Sequence, residues 1–203
     1  MIYLKYCIEN IHNLSDINSK YLLIKKEKQN AIDCLKNLDD KKRSILGEKL
    51  LIDGLKNYYN VDYNDIAIKK NKHGKPYISN LEFSNIKFNI SHSHDYSICA
   101  FSNHEIGVDI EMIRKVNINI LDHFATNQEK EYILSSNEHL FQRLFTIFTL
   151  KEAYFKMLGE DLSNIKNVEF TIKNNNIICS DPMAKFKIIN NIYGYIIAIC
   201  ERI

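Results

Sequence analysis

Residues 86–111 read IKFNISHSHDYSICAFSNHEIGVDIE. Three apolar runs, Ile86–Ile90, Tyr96–Asn103 and Ile106–Ile110, alternate with polar turns, which predicts three short strands at the centre of the chain. Outward from them the hydrophobic period lengthens. Upstream, Ile45, Leu46, Leu50, Leu51 and Leu55 recur at three- and four-residue steps between Asp39 and Tyr59, one face of a buried helix, with Asp39 and Asp40 as its N-cap and first-turn acid. Tyr21–Lys28 reads as the start of an amphipathic helix, Met1–Ile11 as a loose strand, and Tyr63–Lys69 as short and β-prone. Downstream, Asn127–Ser136 and Phe141–Gly159 are helical, the second ending at a Gly suited to a C′ position. Val168–Lys173, Ile177–Ser180, Lys185–Ile189 and Tyr193–Cys200 close the chain as strands. Helix, strands, helices, strands is an α+β order. No sequence repeat and no long linker is visible, and a two-lobe division falls near residues 100–106, giving lobes 1–103 and 104–203.

The 203 residues suffice for one domain or two small lobes sharing a core. Lys and Arg number 27 against 25 Asp and Glu, so 27 − 25 leaves +2, which argues against a dedicated nucleic-acid binder. The five cysteines (Cys7, Cys34, Cys99, Cys179 and Cys200) are scattered, with no C-x-x-C pair. Reduced thiols in a cytoplasm fit this better than a disulfide framework or a zinc ribbon. The first ten residues carry Lys5 and Glu9 and no apolar core, so neither a signal peptide nor a transmembrane helix is expected.

Three clusters carry candidate chemistry. In Gly107-Val-Asp-Ile-Glu111, strand alternation puts Asp109 and Glu111 side by side while Val108 and Ile110 face the core. Paired carboxylates suit Mg²⁺ with phosphates and water; a solvated edge strand is the plain alternative. In Phe148-Thr-Leu-Lys-Glu-Ala-Tyr-Phe-Lys156, Glu152 and Lys156 share a helix face, as a site pair or a surface ion pair. Asn89-Ile-Ser-His-Ser-His94 reads as a donor-rich loop ready for phosphate; a zinc pair of His92 and His94 lacks further ligands.

Taken in order, Gly74-Lys75-Pro76, Asn89-Ile-Ser-His-Ser93, Gly107-Val-Asp-Ile-Glu111 and Phe148-x-x-Lys-Glu-Ala-x-x-Lys156 resemble the 4′-phosphopantetheinyl transferase superfamily over about residues 39–159. One motif set on a chain of 203 residues is similar to the surfactin-synthetase-activating type. That resemblance implies a monomer of two similar α/β lobes related by a pseudo-twofold, with coenzyme A at their interface. The implied reaction moves phosphopantetheine from coenzyme A to a serine of an apo acyl or peptidyl carrier protein, releasing adenosine 3′,5′-bisphosphate. It implies Mg²⁺ (or Mn²⁺) on Asp109, Glu111 and Glu152, Lys156 against the pyrophosphate, and Glu129 deprotonating the serine. Ser91 and His92 are implied to contact phosphates, Lys75 and Pro76 to line the nucleotide pocket, and Lys28, Arg43 and Ser44 to hold the 3′-phosphate.

Two departures stand out. Ala31 occupies a place where relatives often have a lysine, leaving Lys25, Lys26 or Lys36 to compensate, and Phe148 replaces a common Trp. Val116, Ile118, Leu121 and Phe124, beside Arg114 and Lys115, read either as a carrier-docking surface or as core. A role mainly in fatty-acid synthesis (holo-acyl-carrier-protein synthase), a Mg²⁺-dependent phosphohydrolase and an inactive coenzyme-A-binding protein remain alternatives.

Overall fold

The computed structural model describes residues 5–13, 17–173 and 176–203. Its elements run β1 (Lys5–Asn10), α1 (Ile17–Leu22), α2 (Lys26–Asp33), α3 (Leu38–Gly54), β2 (Ile68–Lys70), β3 (Pro76–Ile78), β4 (Lys87–Ser93) and β5 (Tyr96–Ser102). There follow β6 (Ile106–Met112), α4 (Leu121–Phe124), α5 (Asn127–Leu134), α6 (Leu140–Leu158), β7 (Phe170–Lys173), β8 (Asn176–Cys179), β9 (Ala184–Ile189) and β10 (Tyr195–Arg202). The class is α+β.

The element order repeats. A strand, a long helix, a two-stranded hairpin and two closing strands form β1, α3, β2–β3, β4 and β5. The same series returns as β6, α6, β7–β8, β9 and β10. Each series folds into an antiparallel sheet with its last strand in the middle, β1-β5-β4 and β6-β10-β9.

Both middle strands are buried on both faces, and their alternation sorts the core into three layers. Cys99 and Phe101 of β5 face α3 with Leu46, Leu50 and Leu51. Ile98 and Ala100 face the second sheet, meeting Val108, Ile110, Ile197 and Ile199. Ile196, Ala198 and Cys200 of β10 pack under α6. The result is helix, sheet, sheet, helix.

Local chemistry sets the element ends. Asn37, rather than Asp39 or Asp40, caps α3: its Oδ1 accepts from the Asp39 N–H at 2.7 Å, and the two acids occupy the first turn. The helix expected from Tyr21 is interrupted, because Lys25 adopts an extended backbone (φ −58°, ψ 145°) between α1 and α2. Gly159 ends α6 at φ 69°, a left-handed cap that costs Gly little. The loose strand expected from Met1 is β1, and residues 1–4 lie outside the described residues.

The polar cluster at residues 89–93 is not a loop. It is the body of β4, the edge of the first sheet that meets β6, the edge of the second. No ladder joins these edges; side chains do. Asn89 Oδ1 accepts the Val108 N–H at 2.9 Å and Ser93 Oγ accepts the Met112 N–H at 3.2 Å. Alternate polar residues on β4 thus satisfy backbone donors that β6 would otherwise leave unmet.

Candidate active site at the seam of the two sheets

β6 turns Asp109 and Glu111 toward α6, on the face opposite Val108 and Ile110. Gly107 allows α6 to lie almost on the strand: a Cβ there would stand 2.0 Å from the Ala153 carbonyl oxygen. That close approach brings Glu152 and Lys156, one turn apart on α6, over the acidic pair.

Lys156 Nζ lies 2.6 Å from Asp109 Oδ1 and donates to Ser91 Oγ at 3.0 Å. Ser91 Oγ in turn donates to Asp109 Oδ1 at 2.8 Å. On the rim, Ser93 Oγ donates to Glu111 Oε2 at 3.1 Å, and Arg114 pairs with the same oxygen at 3.3 Å. Asp109 Oδ2 is buried and has no hydrogen-bond partner.

The electrostatics show an excess of negative charge. Burial pushes the Glu152 carboxyl up to about 7, with Asp109 and Glu111 adding to the rise against Lys156. Glu111 is raised by burial and by Asp109. Burial works against the charge on Lys156, but Asp109 and Glu152 outweigh it and hold its pKa above the usual value. Three carboxylates, one with an orphaned oxygen, fit the oxygen-donor preference of a divalent cation. Among the described residues they do not stand as a ready-closed cage of ligands.

A pocket of about 720 Å³ opens beside the seam, between α2, α3, the β2–β3 hairpin and β4. It gathers Lys28, Arg43, Ser44, Pro76 and His92, and Ala31 also lies on its wall. Lys25 and Lys70 line it too, two further cations against the gap that Ala31 leaves. Lys70 was not foreseen; its signal is the strand spacing from Ile68. Glu48 was also missed: it is buried on the pocket wall, held by the Tyr63 hydroxyl and 3.7 Å from Lys28. Burial, with the charges of Arg43 and Lys156 adding to it, lowers the His92 pKa below the usual imidazole value.

Other expected site residues stand elsewhere. Lys75 Nζ donates to the Met157 carbonyl at 2.8 Å and pairs with Glu105 at 3.1 Å, tying the β2–β3 turn to the end of α6. Glu129 and Lys151 form a 2.9 Å ion pair with both side chains 0% exposed. Glu129 also closes a capping box with Thr126 at the start of α5 and accepts the Phe170 N–H at 2.9 Å. Lys151 donates to the Ile165 and Val168 carbonyls. Glu129 thus stands in the core, away from the Asp109–Glu111–Lys156 cluster, with its carboxylate occupied by protein partners. Leu121 and Phe124 are core, Phe124 packing edge-on against Phe148 at 5.3 Å, whereas Ile118 is 39% exposed and Val116 half-buried.

Two sheets thus meet over an acidic strand and a Lys–Glu helix face, with a basic pocket beside them. The family models divide the chain at the same place. A 4′-phosphopantetheinyl transferase N-terminal model matches residues 13–104, and the 4′-phosphopantetheinyl transferase superfamily model matches residues 105–200. The chain belongs to the 4′-phosphopantetheinyl transferase superfamily. Similar curated proteins include 4′-phosphopantetheinyl transferase gsp of Aneurinibacillus migulanus, 39% identical across 68% of this chain and 57% of that protein. Another is 4′-phosphopantetheinyl transferase Sfp of Bacillus subtilis, 29% identical across 72% of this chain and 65% of that protein. The chain thus spans less than two thirds of the length of these relatives. Among solved structures, the holo-[acyl-carrier-protein] synthase of Thermotoga maritima overlays 47% of this chain and 61% of its own at a TM-score of 0.41 and 22% identity.

Proposed function

We propose that this protein transfers the 4′-phosphopantetheine group of coenzyme A to a serine of an apo carrier protein. The observation that carries the reading is the join between a basic, nucleotide-sized pocket and the Asp109–Glu111–Glu152–Lys156 cluster, bridged by β4 through Ser91 and His92. The nucleotide lies in the pocket, its 3′-phosphate on Lys28, Arg43 and Ser44 with Lys25 and Lys70 nearby, and Pro76 beside the base. The pyrophosphate then reaches the seam. A divalent cation on Asp109, Glu111 and Glu152 (Mg²⁺, or Mn²⁺) supplies charge neutralisation at the pyrophosphate.

The serine oxygen forms a bond to the phosphorus carrying pantetheine, and the bond from that phosphorus to the departing nucleotide phosphate breaks. Adenosine 3′,5′-bisphosphate leaves and the serine proton is released. Lys156 steadies charge on the bridging and leaving oxygens. Glu129 takes no part, since its burial against Lys151 gives it a folding role. Lys75 acts by holding the β2–β3 turn to α6. We further propose that the protein works as a monomer in a cytoplasm, where its free cysteines stay reduced, and serves acyl or peptidyl carriers. No observation favours a phosphohydrolase, an inactive coenzyme-A-binding protein or a role confined to fatty-acid synthesis.

Glu152→Gln is the test. The reading predicts loss of transfer by at least about a hundredfold with folding preserved; a surface ion pair predicts little change. Because Glu152 titrates near 7 when folded instead of in the usual carboxylate range, its contribution to stability is fully present at acid pH. It is lost as pH rises through about 7. In metal-free buffer at pH 8 the variant should therefore melt above the wild type, whereas an equal or lower melting temperature would contradict the strained acidic cluster.

A further inference from the structure

The repeated element order makes a second pocket comparable with the first, position by position. A pocket of about 810 Å³ lies in the second series, between α5, α6, the β7–β8 hairpin and β9. In the first pocket β4 contributes Phe88, Ile90 and His92; in the second the β9 segment contributes Phe186, Ile188 and Asn190, with the same two-residue spacing. Sheet register confirms the match. Phe88 and Ile90 pair with Phe101 and Cys99, on the α3 side, and Phe186 and Ile188 pair with Cys200 and Ala198, on the α6 side.

The helices agree too. Arg43, Ser44 and Gly47 line the first pocket, and Gln142, Arg143 and Thr146 line the second at identical intervals, so that Gln142 stands in the place of Arg43 and the guanidinium has moved one residue on, to the place of Ser44. Arg143 is half-buried and braced like Arg43: its Nη1 donates to the Tyr132 carbonyl at 2.9 Å, as Arg43 Nη1 donates to the His94 carbonyl at 2.9 Å. The Arg143 guanidinium lies over the Tyr132 ring at 4.8 Å and also donates to the Ser135 hydroxyl, and it shares the pocket wall with Phe186 and Ile188. A braced guanidinium in a pocket with an apolar wall is a fitting receptor for a phosphate attached to a flat ring.

The catalytic half has no counterpart. Asp109 lies opposite Ala198 in its ladder, and the residue opposite the matching Cys99 is Cys7; Glu9 matches Glu111 in the same way. Cys7 instead contacts the Tyr58 hydroxyl at 3.2 Å, and Glu9 is bound by Lys49 at 2.9 Å. Lys49 is shared with Asp53 at 2.7 Å, so an ammonium already neutralises this pair. Ser91 is replaced by Ile189, each paired to the corresponding residue of the middle strand.

We propose that the second pocket is a non-catalytic site for a nucleoside phosphate, bound by Arg143 with Phe186 and Ile188 and not turned over. The ligand class rests on reading the first pocket as the nucleotide site, so the test addresses the two separately. Adenosine 3′,5′-bisphosphate is titrated calorimetrically into the full chain, and an azido analogue of it is photo-crosslinked for peptide mapping. Wild type should bind two equivalents and label both 86–93 and 184–190. Asn190→Glu, an exposed change that sets a negative charge at the second pocket, should lose the second equivalent and the 184–190 label with transfer unchanged, and Arg143→Gln should do the same. Arg43→Gln should lose only the other equivalent. A single equivalent that disappears with Arg43→Gln, with no label on 184–190, would overturn the proposal, as would no binding at all. A single equivalent lost with Asn190→Glu and kept in Arg43→Gln would uphold it and refute the first-pocket reading.

Discussion

Lys151 and Lys156 stand five residues apart on one helix and do opposite work. Lys156 reaches the seam and meets Asp109, whereas Lys151 is sealed in the core against Glu129. Burial lowers the Lys151 pKa while Glu129 opposes the drop. Removing one member of such a pair leaves an uncompensated buried charge and costs about 3–5 kcal/mol. Glu129→Gln should therefore lower the melting temperature sharply, while the fraction that remains folded transfers at a near-normal rate. An unchanged melting temperature with a collapsed kcat would instead restore Glu129 as a catalytic base. Sequence alone could not separate these roles. Spacing shows which residues share a helix face, but whether a face meets solvent, a seam or a strand depends on packing. Asp109, Glu111, Glu152 and Lys156 were legible because strand alternation and an i, i+4 step fix their faces. The Lys75 tether was not, since nothing local ties residue 75 to Met157.

At the scale of elements, β4 was the least readable piece. Asn89, Ser91 and Ser93 look like loop polarity, and they are buried because β6 offers donors and carboxylates at matching intervals. The long helices were readable because their apolar spacing is sustained, and the turn between α1 and α2 was not, because Lys25 has an ordinary residue's freedom. The 116–124 segment divides between the two roles open to it. Leu121 and Phe124 anchor it in the core, leaving Ile118 and Ile120 exposed a few residues after Arg114 and Lys115 in the chain. Such a basic, apolar ridge suits an acidic carrier with an apolar helix. Ile118→Asp should weaken transfer through a raised carrier KM, leaving coenzyme A binding and melting temperature near wild type. Loss of folding in that variant would assign Ile118 to the core.

For the whole molecule, the two halves share an order of elements and almost no residues, which is why no repeat shows in the sequence. Phe88-x-Ile90 and Phe186-x-Ile188 keep a trace of it, as do Glu9 and Glu111 at matching ladder positions. The halves differ in chemistry: the first gives the basic pocket, the second the acidic strand and the Lys–Glu helix, and the two come together where β4 meets β6. The central claim is that this seam transfers phosphopantetheine. The most direct measurement is intact-mass analysis of an apo carrier protein incubated with the protein, coenzyme A and Mg²⁺. The account predicts a gain of one phosphopantetheine group, abolished by EDTA and by Asp109→Ala. An unmodified carrier across several acyl and peptidyl carriers, with coenzyme A nonetheless bound, would contradict it.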